Sequence, residues 1–186
     1  MSELLLFHHA QGLTPGVLAF AEMLREAGHT VHTPDLYQGH TFATLDEGVA
    51  YAREVGFGNL QEAGVRAADG LPDRLVYAGF SLGVSPAQRL AQTRPGAAGA
   101  LLFHACFPVE AFGTWPEGVP VQVHAMQDDP WFEEEDAAAA RALTEAVNGS
   151  LFLYPGNRHL FADRSLPDYD EAAARLLKER VLQFLE

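Results

Sequence analysis

A single cysteine, Cys106, stands among the 186 residues. An internal disulfide is therefore excluded, and a reducing compartment, the cytoplasm, is the expected setting. Basic residues are also few: 12 Lys and Arg against 25 Asp and Glu leave a net charge of -13. A field of that sign repels phosphate backbones and anionic lipid headgroups, so neither nucleic acid nor a membrane is expected as a partner. It also disfavours strongly anionic small substrates unless a local cation intervenes. No apolar run approaches the roughly 18 residues of a membrane span. The opening MSELLLFHHA carries an acidic residue and neither the basic start nor the cleavage site of a secretory signal. Repeats, low-complexity tracts and a linker composition are absent, and residues 1–186 are expected to form one domain.

What the chain does have is an ordinary globular composition, 48% hydrophobic, with enough apolar residues for a core. Short apolar runs alternate with longer helical patterns. LLLFHH (4–9), HTVHTP (29–34), RLVYAG (74–79), GALLFHA (99–105), VPVQVHAM (119–126) and SLFLYP (150–155) read as strands. After the first of these, Thr14 and Pro15 make an N-cap and first turn. The helix that follows places Val17, Phe20, Ala21 and Leu24 on one face, and Gly28 supplies its stop. Residues 44–68 look helical but are interrupted by Gly48, Gly56, Gly58 and Gly64. A further helix runs from Ser81 to about Arg94, and the acidic run EEED falls in the first turn of another, where the helix dipole favours it. Asp168 and Glu171 form the pattern of a capping box opening a C-terminal helix that buries Ala173, Leu176, Leu177, Val181 and Phe184. Apolar strands separated by helices imply an α/β fold with a parallel sheet covered on both faces, whose chemistry sits at the carboxyl ends of the strands.

At one such end lies VYAGFSLGVS (76–85), a strand running into Gly-x-Ser-x-Gly and then into a helix. This is the pattern of a nucleophile elbow: a tight turn thrusts the Ser81 hydroxyl out of the sheet, and the small Gly79 and Gly83 let strand and helix approach. The Leu82 N–H, at the helix start, is placed to donate to an oxyanion. A serine hydroxyl needs a base, and His159 follows the strand SLFLYP. The base needs an orienting acid, and Asp128 and Asp129 both follow VQVHAMQ. Serine, aspartate and histidine thus come in that chain order at the ends of three strands, as an α/β-hydrolase requires.

YPGNRHLF (154–161) resembles the histidine-bearing segment of the dienelactone hydrolase family. PDLY (34–37) resembles its Pro-Asp-Leu-Tyr, and DP (129–130) its catalytic aspartate with the following proline. The resemblance spans the chain from Leu4 to the C-terminus. It implies a triad of Ser81, Asp129 and His159, with the N–H groups of Leu82 and Ala10 as oxyanion hole. It also implies an α/β-hydrolase fold trimmed to a parallel sheet of about six strands, with helices on both faces and no antiparallel edge. Three positions depart from the family pattern. Its best-known members have cysteine where this chain has Ser81, and a glutamate where this chain has His9. An arginine that binds a substrate carboxylate shortly after the catalytic histidine is replaced in that neighbourhood by Asp163, beside Arg164. These departures point away from dienelactone itself and toward an ordinary small ester or thioester.

Residues expected around the substrate are His9, Gln11, Tyr37, Phe107, Trp131 and Phe161. Alternation along a strand lets only one of His8 and His9 face the pocket; His9 is assigned to it and His8 to structure. Phe107, Trp131 and Phe161 follow strand ends, where an acyl or aryl pocket would form, although plain packing fits them equally well. His8, His9, His104 and His124 match no zinc spacing, so neither a metal nor any other cofactor is expected. The expected function is that of a serine hydrolase cleaving a small-molecule ester or lactone through an acyl-enzyme. Two alternatives use the same residues differently: a non-catalytic binding module that keeps the elbow as architecture, and a thioesterase or acyl transferase.

Overall fold

The computed structural model describes residues 1–186. Six strands, β1 (Glu3–Phe7), β2 (Thr30–His32), β3 (Val76–Phe80), β4 (Gly99–Phe103), β5 (Val121–Met126) and β6 (Ser150–Tyr154), form one sheet in the order β2-β1-β3-β4-β5-β6. Every neighbouring pair is parallel. This is the trimmed α/β-hydrolase sheet, without an antiparallel edge. β1 lies between β2 and β3, so the chain reverses its direction of travel across the sheet there. The carboxyl ends of β1 and β3 therefore mark the topological switch point of the sheet, the usual place for a ligand in such folds.

Alternation along the strands sorts side chains into two cores. Leu4, Leu6, Ala78 and Phe80 join Leu101 and Phe103 on one face, against Val17, Phe20 and Leu24 of α1 (Pro15–Glu26) and Leu177 and Val181 of α6 (Glu171–Leu185). Leu5, Phe7, Tyr77, Leu102 and Val123 face the other way. They meet Ala87 and Leu90 of α4 (Val84–Thr93), and Ala140 and Leu143 of α5 (Glu134–Ala146). Burial on both faces explains why the strands read as continuous apolar runs. α1 begins where the sequence predicts: the Thr14 hydroxyl accepts from the Val17 N–H, and Pro15 occupies the first turn.

One local expectation is refined and two are corrected. The glycine-interrupted stretch is two helices, α2 (Leu45–Val55) and α3 (Phe57–Arg66), broken at Gly56, whose φ of 96° no ordinary residue adopts cheaply. The C-terminal helix is capped by Asp170, whose carboxylate accepts from the Ala173 N–H, and not by Asp168. Within that helix Leu176 is exposed and Phe184 only half-buried, while Ala174 and Leu185 are buried. No helix is long and apolar enough to cross a membrane.

Candidate active site

The elbow after β3 is a turn of 3₁₀ helix, Ser81–Gly83, leading directly into α4. Ser81 has φ 49°, in the left-handed region, where a side chain costs about 1–2 kcal/mol. The packing leaves the turn no alternative. A Cβ on Gly83 would lie 2.6 Å from the Phe7 carbonyl oxygen and 2.7 Å from that of His8, and one on Gly79 would overlap the Gly83 carbonyl. Glycine at both positions therefore lets the elbow press against the end of β1.

The Ser81 hydroxyl donates to His159 Nε2 at 2.7 Å. On the far side of the ring, His159 Nδ1–H donates to Asp129 Oδ2 at 2.6 Å. Asp129 is itself fixed by the Trp131 N–H, which donates to its Oδ1 at 2.8 Å. Asp129 and His159 are buried, whereas Asp128 is exposed and uses its N–H on the Gly156 carbonyl. The three side chains come from the ends of β3, β5 and β6, and 78 residues separate the serine from the histidine. An array of this kind holds the imidazole in the tautomer that can take a hydroxyl proton.

Opposite the elbow, the chain leaving β1 is held rigidly. His9 Nε2–H donates to Asp163 Oδ2 at 2.7 Å, and His9 Nδ1 accepts from the Gln11 N–H. Gln11 in turn exchanges hydrogen bonds with Phe42: its side-chain Nε2 donates to the Phe42 carbonyl, and its own carbonyl accepts from the Phe42 N–H. Behind this loop Gly48 of α2 packs so closely on the Ala10 carbonyl that a Cβ there would overlap it.

In front of Ser81 lies a cleft of about 450 Å³, lined by Leu36, Phe57, Gly58, Leu60, Gln61, Leu82, Ser85, Pro86, Ala105 and Phe107. Of the predicted pocket residues, Phe107 lines it, as does the proposed oxyanion donor Leu82. The others do not. His9 and Gln11 are buried in the loop contacts just described. Tyr37 is fully buried and donates its hydroxyl to the Gly48 carbonyl. Phe161 is core, edge-on to His104 at 4.9 Å. Trp131 stands beside the cleft rather than in it, 43% exposed and with its ring 6.0 Å from that of His159. Most of the true lining comes from α3 and from the 105–107 segment. Among the lining residues the sequence did not single out, Ser85 is the one with a positional signal, one helical turn beyond Ser81.

The other buried imidazoles lie apart from this line, and no three His, Cys, Asp or Glu side chains come together as metal ligands. His8 Nδ1–H donates to the His9 carbonyl and its Nε2 accepts from the Leu36 N–H; burial lowers its pKa to about 4. His124 lies between Tyr154 and Gln122, and burial lowers it to about 3. His104, fully buried with φ 70°, has neither nitrogen bonded and is held well below the usual imidazole range by burial. Burial likewise pushes the Cys106 thiol up to about 12, which leaves it a poor nucleophile.

A doubly covered parallel sheet with a serine elbow after its third strand defines an α/β-hydrolase. Within that class, the chain belongs to the dienelactone hydrolase family, whose model matches residues 3–186. It is accordingly a hydrolase acting on ester-type bonds. A dienelactone hydrolase-like promiscuous phosphotriesterase from metagenomic libraries is similar in fold (TM-score 0.75) at 18% identity, covering 100% of this chain and 86% of its own. The thioesterase domain from the curacin biosynthetic pathway is similar at TM-score 0.66 and 14% identity, over 98% of this chain and 90% of its own. A thioesterase of the prodiginine pathway in Streptomyces coelicolor follows at TM-score 0.60 and 15% identity, over 98% and 85%. No curated protein sequence matches the chain.

Proposed function

We propose that this protein is a serine hydrolase that cleaves small carboxylic esters or lactones through an acyl-enzyme. The observation that carries this reading is the unbroken hydrogen-bonded line from the Ser81 hydroxyl through His159 to Asp129. Ser81 Oγ attacks the ester carbonyl as His159 Nε2 takes its proton, and Asp129 stabilises the imidazolium that forms. The oxyanion is received by the Leu82 and Ala10 N–H groups; in support, the Ala10 N–H donates to no acceptor within the protein. His159 then gives its proton to the departing alcohol oxygen. Water, activated by the same imidazole, adds to the acyl carbonyl and frees the acid, returning the proton to Ser81.

Thioester cleavage and acyl transfer would use the same three side chains and differ only in leaving group or acceptor. A cytoplasmic setting accords with a lone, buried cysteine. The test is Ser81→Ala, assayed on 4-nitrophenyl acetate. Turnover should drop on the order of 10⁴–10⁶-fold with the melting temperature little changed. Fluorophosphonate labelling of the parent, located by mass spectrometry, should fall on Ser81. Parent-level hydrolysis by the variant, or an inert Ser81 in a folded protein that still binds ligand, would overturn the reading in favour of other chemistry or a binding module.

A further inference from the structure

Building on the reading that Ser81 attacks an ester, we propose that its cleft selects esters whose acyl part is uncharged and largely apolar, and that Glu62 enforces this by occupying Arg89. No charged side chain lines the cleft. Its walls are apolar (Leu36, Phe57, Leu60, Leu82, Phe107), and besides Ser81 its polar lining consists of Gln61 and Ser85. A carboxylate entering there would exchange water for apolar surface without a counter-ion, which proteins tolerate only when the charge is paired and hydrogen-bonded.

The cation whose hydrogen bonds reach this lining is Arg89, and it is already committed. Arg89 Nη1 donates to Glu62 Oε1 at 2.5 Å and to Gln61 Oε1 at 2.8 Å. The second contact fixes which way the Gln61 amide points. Its carbonyl is turned to Arg89, and its Nε2 donates to Ser85 Oγ at 2.6 Å. Having accepted from Gln61, the Ser85 hydroxyl keeps its own proton to donate. The polar end of the cleft therefore offers two neutral donors, the Ser85 O–H and the second Gln61 N–H. They suit a carbonyl, ether or hydroxyl oxygen on the acyl chain and are too weak to hold an anion. The net charge of -13 acts in the same direction over longer range.

The experiment compares kcat/KM for 4-nitrophenyl butyrate and mono-4-nitrophenyl succinate, which share a leaving group and a four-carbon acyl chain but differ in charge. The parent protein should favour the butyrate on the order of 10²-fold. Glu62→Gln, on an exposed side chain, releases Arg89 and should narrow that ratio about tenfold by raising the rate on the succinate. Adding Arg89→Gln to that variant should restore the parent ratio. A parent ratio within threefold of unity, or one that Glu62→Gln leaves unmoved, overturns the selection while a fluorophosphonate-labelled Ser81 keeps the hydrolase reading intact. An unlabelled Ser81 with neither ester turned over overturns both.

Discussion

Asp163 accepts hydrogen bonds from four donors: His9 Nε2–H, the Thr14 hydroxyl, and the N–H and hydroxyl of Ser165. Burial alone would raise its pKa, but these bonds hold the carboxyl below the usual carboxylate range. Thr14 meanwhile caps α1, so one carboxylate ties together the loop after β1, the start of α1 and the segment after His159. Removing it leaves a buried imidazole and a buried hydroxyl without their acceptor. Asp163→Ala should therefore cost about 3–5 kcal/mol in urea denaturation. A loss under about 1 kcal/mol would show that water replaces the carboxylate freely. His9 and Asp163 are two positions that the sequence singled out separately, and the structure makes them a single unit. That pairing was not legible in the sequence. Alternation along β1 assigned His9 to the pocket and His8 to structure, but the strand ends at Phe7 and both imidazoles are buried. Their long-range partners, Leu36 for His8 and Asp163 for His9, lie 28 and 154 residues away, distances no local pattern records. The serine, histidine and acid were legible because each follows a strand whose type and end the apolar run announces.

Elements were read well wherever periodicity decided them. The six strands follow directly from short continuous apolar runs, and the buried face of α1 from a 3.6-residue pattern. Boundaries set by one backbone conformation or one cap were less visible. Gly56 separates α2 from α3 by its φ alone, and three other glycines in the same stretch gave equal warning without ending a helix. Because α3 supplies much of the cleft wall, that blurred boundary also hid Phe57, Leu60 and Gln61. At α6 the pattern Asp168-x-x-Glu171 fits a capping box, yet Asp170 sits two residues nearer and its side chain makes the bond to Ala173. The two aspartates are separable by measurement. Asp170→Ala should cost about 1 kcal/mol of stability, the usual worth of an N-cap. Asp168→Ala, at an exposed position, should stay within about 0.5 kcal/mol of the parent. Equal losses at both positions would mean that the helix starts earlier in solution.

For the molecule as a whole, net charge and buried imidazoles pull stability in opposite directions as pH falls. Moving from pH 7 toward the isoelectric point near 4.9 relieves the self-repulsion of an excess of acid, which favours the compact state. His8, His104 and His124 act the other way. In the unfolded chain each takes a proton near pH 6.5, while burial keeps them neutral in the fold until about pH 4 for His8, about 3 for His124, and well below 6.5 for His104. Between 6.5 and 4 the unfolded state therefore binds more protons, and stability declines as pH drops. Each fully mismatched imidazole contributes a slope of roughly 1.4 kcal/mol per pH unit. The carboxylates are distributed over the surface and screened at ordinary ionic strength, whereas the imidazoles are buried, so the histidine effect should prevail. The melting temperature is expected to fall steadily from pH 7 to pH 5 even as net charge shrinks. His124→Phe should reduce that slope by about the share of one imidazole, since the ring lies among Phe103, Phe152 and Tyr154 and an apolar ring suits the site. A melting temperature that holds or rises over this interval would mean that the buried rings find protons, or water, inside the fold.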